Sequence, residues 1–306
     1  MRRRIVQLAT FAIVLAQAAR ADLTIRYKVG YKISDALPPA MADSLKQQMG
    51  SAVPSQSSTR IKGDKRVDVH GEVTSLVDFA TRQITLLHAP TKRYSTIAAS
   101  DFSSQIRKLM PAEAAAALRD IKVDVQTQKL GKSTIINGIS GEEILIGVSI
   151  ELPNPAGPSM QIRLEIHNWI AAADALSRIP EFKEWDAKKW SSLGAFDPAE
   201  MMTSAFAQGP AAEKLRAAMQ EIAATSSGFS LKNETRIFMP MIARLLKQQG
   251  LTSDDGPVVE TVTEFDSFNA DPIADSVFQI PADYKPAPFE DLMREANPSK
   301  PQVPAK

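Results

Sequence analysis

The chain has 306 residues, of which 44% are hydrophobic and 23% are charged; its formal net charge is +1 and it contains no cysteine. The lack of cysteine excludes disulfides, thiolate catalysis, iron–sulfur clusters and cysteine zinc sites. The nearly balanced charge argues against the basic surface of a nucleic-acid-binding protein. The length suffices for one large domain or two, held together by hydrophobic cores alone.

Residues 1–21 are predicted to be a cleavable secretory signal peptide. Arg2, Arg3 and Arg4 precede an apolar run over Ile5–Ala16, and Ala19-Arg20-Ala21 supplies the small-x-small pattern of a signal peptidase site. The run is shorter than the roughly 20 apolar residues that span a membrane. No cysteine is available for lipid attachment. We therefore expect a periplasmic or secreted mature protein that is soluble and has no transmembrane segment.

The first part of the mature chain has the pattern of an antiparallel meander. Residues 23–34 alternate between apolar and polar side chains, which predicts a strand with one wet face. A loop over Asp35–Ser58 follows, with a short helix predicted near Ala42–Gln48. Turn residues then separate further short strands. These strands are predicted at Arg60–Val69 (with Ile61, Val67 and Val69 on one side), Ser75–Phe79, Gln83–His88 and Arg93–Ala98.

Asp101–Asp120 has helical spacing, interrupted by Pro111. Strands resume at Val123, and Asn137-Gly138 predicts a type I′ hairpin turn, because both central residues of that turn need a positive φ. The two strands that follow, Glu142–Leu152 and Met160–Ile166, each have one fully apolar face. We expect these two strands to form the centre of the sheet.

The last part of the chain is predicted to hold a helical insert from about residue 169 to 225, within one domain over residues 22–285. A strand at Gly228–Met239, a helix at Met241–Gln249 and a last strand at Val258–Phe268 follow. Residues 286–306 contain five prolines and are predicted to be a disordered tail.

Residues with catalytic or metal-binding chemistry are present, but their spacing matches no known motif. His70, His88 and His167 lack metal-ligand spacing, and Ser140 lacks the G-x-S-x-G context of a nucleophile elbow. The acidic residues between Val259 and Asp266 fit the solvated face of a strand. We expect no catalytic residue, no metal and no cofactor; a carboxylate hydrolase remains a minor alternative.

Bulky apolar residues are the candidates for contact with a ligand. Three tryptophans lie in or near the predicted junction between sheet and insert, and a methionine-rich stretch follows the strand at 228–239. The simplest explanation of the tryptophans is that they pack the insert onto the sheet, and the methionine-rich stretch could also be ordinary core; the functional alternative is that both groups line a cavity for an apolar ligand. The candidates are Trp169, Trp185, Trp190, Phe238, Met239 and Met241.

The order of these segments resembles exported bacterial proteins of uncharacterised function related to the outer-membrane lipoprotein carriers, the LolA/LolB-like superfamily. The resemblance rests on the opening Asp22–Val29, on the segment Ile61–Asp68, on Lys92-Arg93-Tyr94, on Asn137-Gly138, and on the closing Phe278–Tyr284. It implies an α+β fold: a curved antiparallel sheet forming an incomplete β-barrel, with helices on its concave side. It supplies no catalytic residue.

Two functions from different classes follow from this organisation. The first is a periplasmic, non-enzymatic binding or carrier protein for a lipid, an acylated molecule or another apolar ligand. The second is a structural or protein-interaction module of the cell envelope, in which the sheet is filled by its own side chains and the tail meets a protein partner. Neither involves nucleic acid, and an open apolar cavity between sheet and helices would favour the first.

Overall fold

The computed structural model describes residues 22–50, 56–109, 122–152, 159–172, 228–248 and 256–296, with the single positions 174, 179, 182, 185, 217, 220 and 250. The strands are β1 (Leu23–Ile33), β2 (Gln56–Lys62), β3 (Lys65–His70), β4 (Val73–Asp78), β5 (Gln83–His88), β6 (Arg93–Ala98), β7 (Lys122–Ile136), β8 (Ile139–Leu152), β9 (Met160–Ala171), β10 (Ser230–Phe238), β11 (Val259–Asn269) and β12 (Lys285–Pro286). They form one sheet in the order β12-β6-β5-β4-β3-β2-β1-β11-β10-β9-β8-β7. Among the described strands, only β12 and β6 pair in parallel. The described residues therefore build a large, mostly antiparallel and unclosed sheet.

Strands β2 to β6 form the predicted meander, with one correction. The single charged strand expected over Arg60–Val69 is in fact a hairpin, because the chain turns at Gly63, whose φ is +54°. Ile61 therefore lies opposite Arg66 in the next strand. The helix predicted near Ala42–Gln48 is also longer, running over Pro39–Gly50.

The second half of the sheet contains the predicted hairpin at Asn137-Gly138. Their φ angles are +46° and +82°, as the type I′ turn requires, so this prediction is confirmed. The prediction that β8 and β9 form the centre of the sheet is wrong. They lie next to the β7 edge. The strand near the middle of the order is β1, which pairs with β2 on one side and with β11 on the other.

The four helices with described bounds are α1 (Pro39–Gly50), α2 (Phe102–Lys108), α3 (Pro240–Gln248) and α4 (Phe289–Ala296). Helices α1 and α3 pack with Ile33, Ile237 and Val259, which share one face of the sheet. Helices α2 and α4 pack with Val77 and Ile84. Strand alternation and the pairing of β1 to β5 place these two residues on that same face. None of these helices is long and apolar enough to cross a membrane.

The predicted disordered tail over 286–306 is wrong for its first part. Strand β12 pairs with β6, and α4 then buries Phe289 and Leu292 against β5 and α2. These two residues are three apart and share a helix face, which lets a short helix dock through them. Residues 297–306 lie outside the described part of the chain.

The predicted helical insert begins later than expected. Strand β9 continues to Ala171, so Trp169 is extended and pairs with Glu143 and Lys232 on either side. Phe182 and Trp185, two of the single described positions, are helical. Most of the remaining predicted insert, Trp190 included, lies outside the described residues.

Candidate ligand-binding face

Five adjacent strands, β8, β9, β10, β11 and β1, share a face that is apolar or neutral polar over most of its area; Glu142, exposed and opposite Ile170, lies at its border. Residues opposite each other across a sheet share a face, and the pairing of these strands aligns their apolar and neutral polar side chains in rows. We call this surface the uncharged face. It comprises Ile144, Ile146, Val148, Ile150, Ile162, Leu164, Ile166, Asn168, Asn233, Thr235, Ile237, Val259, Thr261, Thr263, Val29, Tyr31 and Ile33.

The uncharged face is closely packed at one end and more open in its middle. Ile33, Ile237 and Val259 form a core with α1 and α3. Farther along the strands, Thr235 and Thr261 are half-buried, and Tyr31 is 38% exposed. The middle of this face is therefore a row of apolar and hydroxyl side chains. They are neither fully buried in a core nor fully exposed to solvent.

Two amide oxygens on this face accept hydrogen bonds within the sheet. Ser230 Oγ donates to Asn168 Oδ1 over 2.6 Å, and Thr235 Oγ1 donates to Asn233 Oδ1 over 3.0 Å. Because these amide oxygens already accept hydrogen bonds, the polar groups cost less when an apolar surface covers them. The face as a whole is therefore suited to apolar contact.

The opposite face of the same strands carries the charges, and its ions pair with one another. Glu234 lies 2.5 Å from Arg236 and 3.6 Å from Lys232, and Arg236 reaches Glu260 at 3.5 Å. Lys28 pairs with Asp266, and the hydrogen bond and charge of the lysine lower the pKa of that carboxyl. This charged face behaves as a hydrated surface with internal ion pairs.

A groove of about 510 Å³ crosses the charged face where Gly147 leaves a gap in the row of side chains. Gln126 and Gln128 stand on one side of it, and Arg163 and Glu165 on the other. Such a polar lining suits water better than an apolar ligand.

The structure does not bring the six predicted ligand-contact residues together. Trp169 lies on the charged face, where His167 stacks against it and Lys232 Nζ lies 4.9 Å from its ring centroid. Trp185 packs edge-on against Phe229 with 5.1 Å between ring centroids, in the central core beside Trp169. This pair belongs to one end of β9 and β10.

Phe238, Met239 and Met241 belong to the other end. The Arg163 guanidinium lies 4.2 Å from the Phe238 ring centroid, Met239 packs into the core beneath α3, and Met241 is half-buried in that helix. Six residues of β9 separate the partners of these two groups, Arg163 and Trp169, which corresponds to about 20 Å. Trp190 lies outside the described residues.

The three histidines considered from the sequence are also dispersed. His167 Nδ1 lies 2.7 Å from the buried Glu143 on the charged face, His88 is buried in β5, and His70 is exposed in β3. Within the described ranges, no three metal-ligating side chains form a group that could hold an ion. Glu260, Glu264 and Asp266 lie with His167 on the charged face, where Glu260 pairs with Arg236 and Asp266 with Lys28.

One cluster of polar side chains was not predicted from the sequence. Thr59, Arg66 and Asp68 form a hydrogen-bonded cluster on the same side of the sheet as the uncharged face, which we call the inner side. We call these three residues the inner polar cluster. The signal that could have located it is the turn at Gly63, because a hairpin there places Arg66 and Asp68 on the inner face.

Comparison with solved structures finds similarity to a DUF1329 family protein from Desulfovibrio piger. The identity is 9% and the TM-score 0.26, with 88% of this chain and 94% of that protein covered. Neither protein-family models nor curated protein sequences gave a match. Membership of the LolA/LolB-like superfamily therefore stays a prediction.

Proposed function

We propose that this protein is an exported, non-enzymatic binding or carrier protein that holds a lipid or other apolar ligand against the uncharged face. The observation that carries the proposal is the uncharged face itself, a continuous set of apolar and neutral polar side chains that crosses five adjacent strands from Ile144 to Ile33. The middle of that side is only half-buried, at Thr235, Thr261 and Tyr31. In this proposal the sheet curves into an incomplete barrel with the helices on its concave side.

The energetics of apolar contact favour a ligand with a long hydrocarbon chain. Each methylene removed from water contributes about 0.8 kcal/mol, so a chain of fifteen methylenes has roughly 12 kcal/mol of gross burial free energy. Part of this offsets the lost freedom of the ligand, which can itself cost 4 kcal/mol or more. A surface several strands wide can supply contact on that scale, whereas a single small pocket cannot.

Export completes the proposal. The start of the chain has the pattern of a secretory signal peptide, which is typical of periplasmic and secreted proteins: Arg2 to Arg4, an apolar run, and then Ala19-Arg20-Ala21. A carrier in that compartment would meet lipids and acylated molecules outside the cytoplasm. N-terminal sequencing of the exported protein should begin at Asp22; an N-terminus at Met1 would contradict this part of the proposal.

Extraction of the purified protein with organic solvent, followed by mass spectrometry, tests the binding function. We expect acyl-containing molecules in stoichiometric amounts, and native mass spectrometry should show the matching increase in mass. A protein that carries no such molecule and takes up none from lipid vesicles would instead favour the envelope interaction module, in which the sheet is filled by its own side chains.

A further inference from the structure

Two asparagines lie opposite each other on the uncharged face. Asn168 of β9 pairs with Asn233 of β10, and Thr263 of β11 lies on the other side of Asn233. Asn168 is only 8% exposed, whereas Asn233 and Thr263 are half-buried. We call these three residues the amide row. It crosses three neighbouring strands, between a buried part of the face and a more open one.

The hydrogen bonds of the two asparagines use only their oxygen atoms. Asn168 Oδ1 accepts from Ser230 at 2.6 Å, and Asn233 Oδ1 accepts from Thr235 at 3.0 Å. Within the described part of the chain, neither Nδ2 group donates to a protein acceptor. Every fully buried side-chain nitrogen or oxygen of the described residues has a partner, so both Nδ2 groups are accessible at the uncharged face. The amide row therefore offers N–H donors whose oxygens are already occupied.

Local stability does not account for these donors. Asparagine is depleted in strands, and an N–H group that loses water without gaining an acceptor is destabilising. The positions around the pair on the same face are apolar: Ile144 lies opposite Asn168 in β8, and Ile146 and Ile166 lie opposite each other in the next row. Departures from local preference of this kind concentrate at functional sites. The two asparagines therefore point to recognition of an acceptor group.

We propose that the amide row binds the carbonyl oxygen of an acyl ester, and that the ligand of the uncharged face is therefore an uncharged ester of a fatty acid. This inference rests on the proposed lipid-binding function. An ester carbonyl accepts hydrogen bonds and donates none, which matches the free N–H groups of Asn168 and Asn233. The acyl chain would then lie along the next row of the face, over Ile146 and Ile166.

The spacing and neutrality of the amide row select this acceptor over others. Residues directly opposite each other in antiparallel strands have Cβ atoms about 5 Å apart, so the N–H groups of Asn168 and Asn233 can converge on one oxygen. A free fatty acid also has a carbonyl group, but its ionised carboxylate loses more hydration on burial, and the amide row carries no cation to offset that loss. An alkyl ether lacks the carbonyl oxygen altogether.

Calorimetry of the full mature chain with three ligands of the same chain length tests the inference. The ligands are monodecanoylglycerol, its ether analogue decyl glyceryl ether, and decanoate, each kept below its critical micelle concentration. The ester and the ether differ only at the carbonyl group, so the ratio of their affinities isolates the contribution of that acceptor. Hydrogen bonds to the amide row are expected to make the ester bind about 10-fold more tightly than the ether. The ester should also bind more tightly than decanoate.

Leucine substitutions remove the donors of the amide row at a similar side-chain size. Asn233→Leu should reduce the preference for the ester to about 3-fold, because the donors of Asn168 remain. The double variant Asn168→Leu with Asn233→Leu should abolish the preference without weakening the binding of the ether. The matched control is Gln161→Leu, which removes a carboxamide from the charged face of β9, opposite Glu151. This control should keep the full preference.

The possible outcomes separate this inference from the proposed function. If the wild type binds ester and ether equally, if the double variant keeps the preference, or if the control loses it, the carbonyl assignment is overturned while binding of an apolar ligand stands. Tighter binding of decanoate than of the ester would overturn the assignment to an ester. If none of the three ligands binds, the proposed function fails and the inference fails with it. Should the double variant not fold, Asn233→Leu and the selectivity of the wild type still decide.

Discussion

A lysine at position 261 offers the sharpest test of the uncharged face. Thr261 lies in β11 between Tyr31 and Thr235, in the half-buried row across the middle of the face. The next residue, Val262, points to the charged face, where it pairs with Glu234. Thr261→Lys and Val262→Lys therefore place the same ammonium group one residue apart, on opposite sides of the sheet.

The expected loss follows from the contact that a lysine would displace. The lysine side chain would lie over Tyr31 and Thr235, in the space that two or three methylenes of the ligand would otherwise occupy. At about 0.8 kcal/mol for each methylene, Thr261→Lys should cost about 2 kcal/mol of binding free energy, or roughly 30-fold in Kd. Val262→Lys adds its charge beside Glu234 and should leave Kd nearly unchanged.

Displacement of a fluorescent fatty acid from the purified variants measures this difference. Circular dichroism and urea unfolding of both variants would establish that they are folded before their affinities are compared. Equal affinity of Thr261→Lys and the wild type would refute the placement of the ligand. An equal loss in both variants would show that the effect is one of general charge and not of one face.

Three further predictions concern the fold. Leu292→Ala removes a fully buried side chain of α4 and should lower the free energy of unfolding by about 2–5 kcal/mol, measured with urea; a loss below 0.5 kcal/mol would mean that α4 is not docked. Gly138→Ala should cost about 1–2 kcal/mol because φ is +82°, whereas Gly30→Ala, which also has open space around it, should cost less than half of that. Lys92 lowers the pKa of the Asp283 carboxyl; the destabilisation by Asp283→Asn should therefore be present at pH 7 and vanish as the pH falls below about 4, and a difference that persists at pH 2 would contradict this.

Local patterns predicted what depends on local physics. The alternation along β1 and the turn at Asn137-Gly138 could be predicted, because period-two patterning and positive φ are properties of a few neighbouring residues. The order of the strands could not. β8 and β9 look central because one face of each is fully apolar, yet the middle of the sheet is set by the pairing of β1 with β11, more than two hundred residues apart.

The inner polar cluster was missed for a related reason. In one continuous strand, Ile61, Val67 and Val69 would share a face, and the charged residues between them would point to solvent. The two-residue turn at Gly63 instead reverses the chain, so Ile61 lies opposite Arg66 and Val67 faces the other way. One unrecognised turn was enough to exchange the inner and outer faces of β3.

Composition misled the prediction for the C-terminal segment in the same manner. The prolines after residue 285 are typical of disordered chains, and the prediction relied on them and not on the apolar pair Phe289 and Leu292. The structure shows what those two residues can do when a partner surface exists: they fill the space between α2 and the inner side of β5. That surface is made by residues far away in the sequence, and no window around residue 290 contains it.

The distribution of charge over the sheet also discriminates between the two functional classes. The charged face largely satisfies itself, since Lys232, Glu234, Arg236 and Glu260 form a continuous chain of ion pairs. A module that fills its sheet with its own side chains would instead pack the middle of the opposite face, as α1 and α3 pack Ile33 and Val259 at one end. The uncharged face has no such chain of ions, and its half-buried middle at Thr235 and Thr261 offers the contact that an apolar ligand would need.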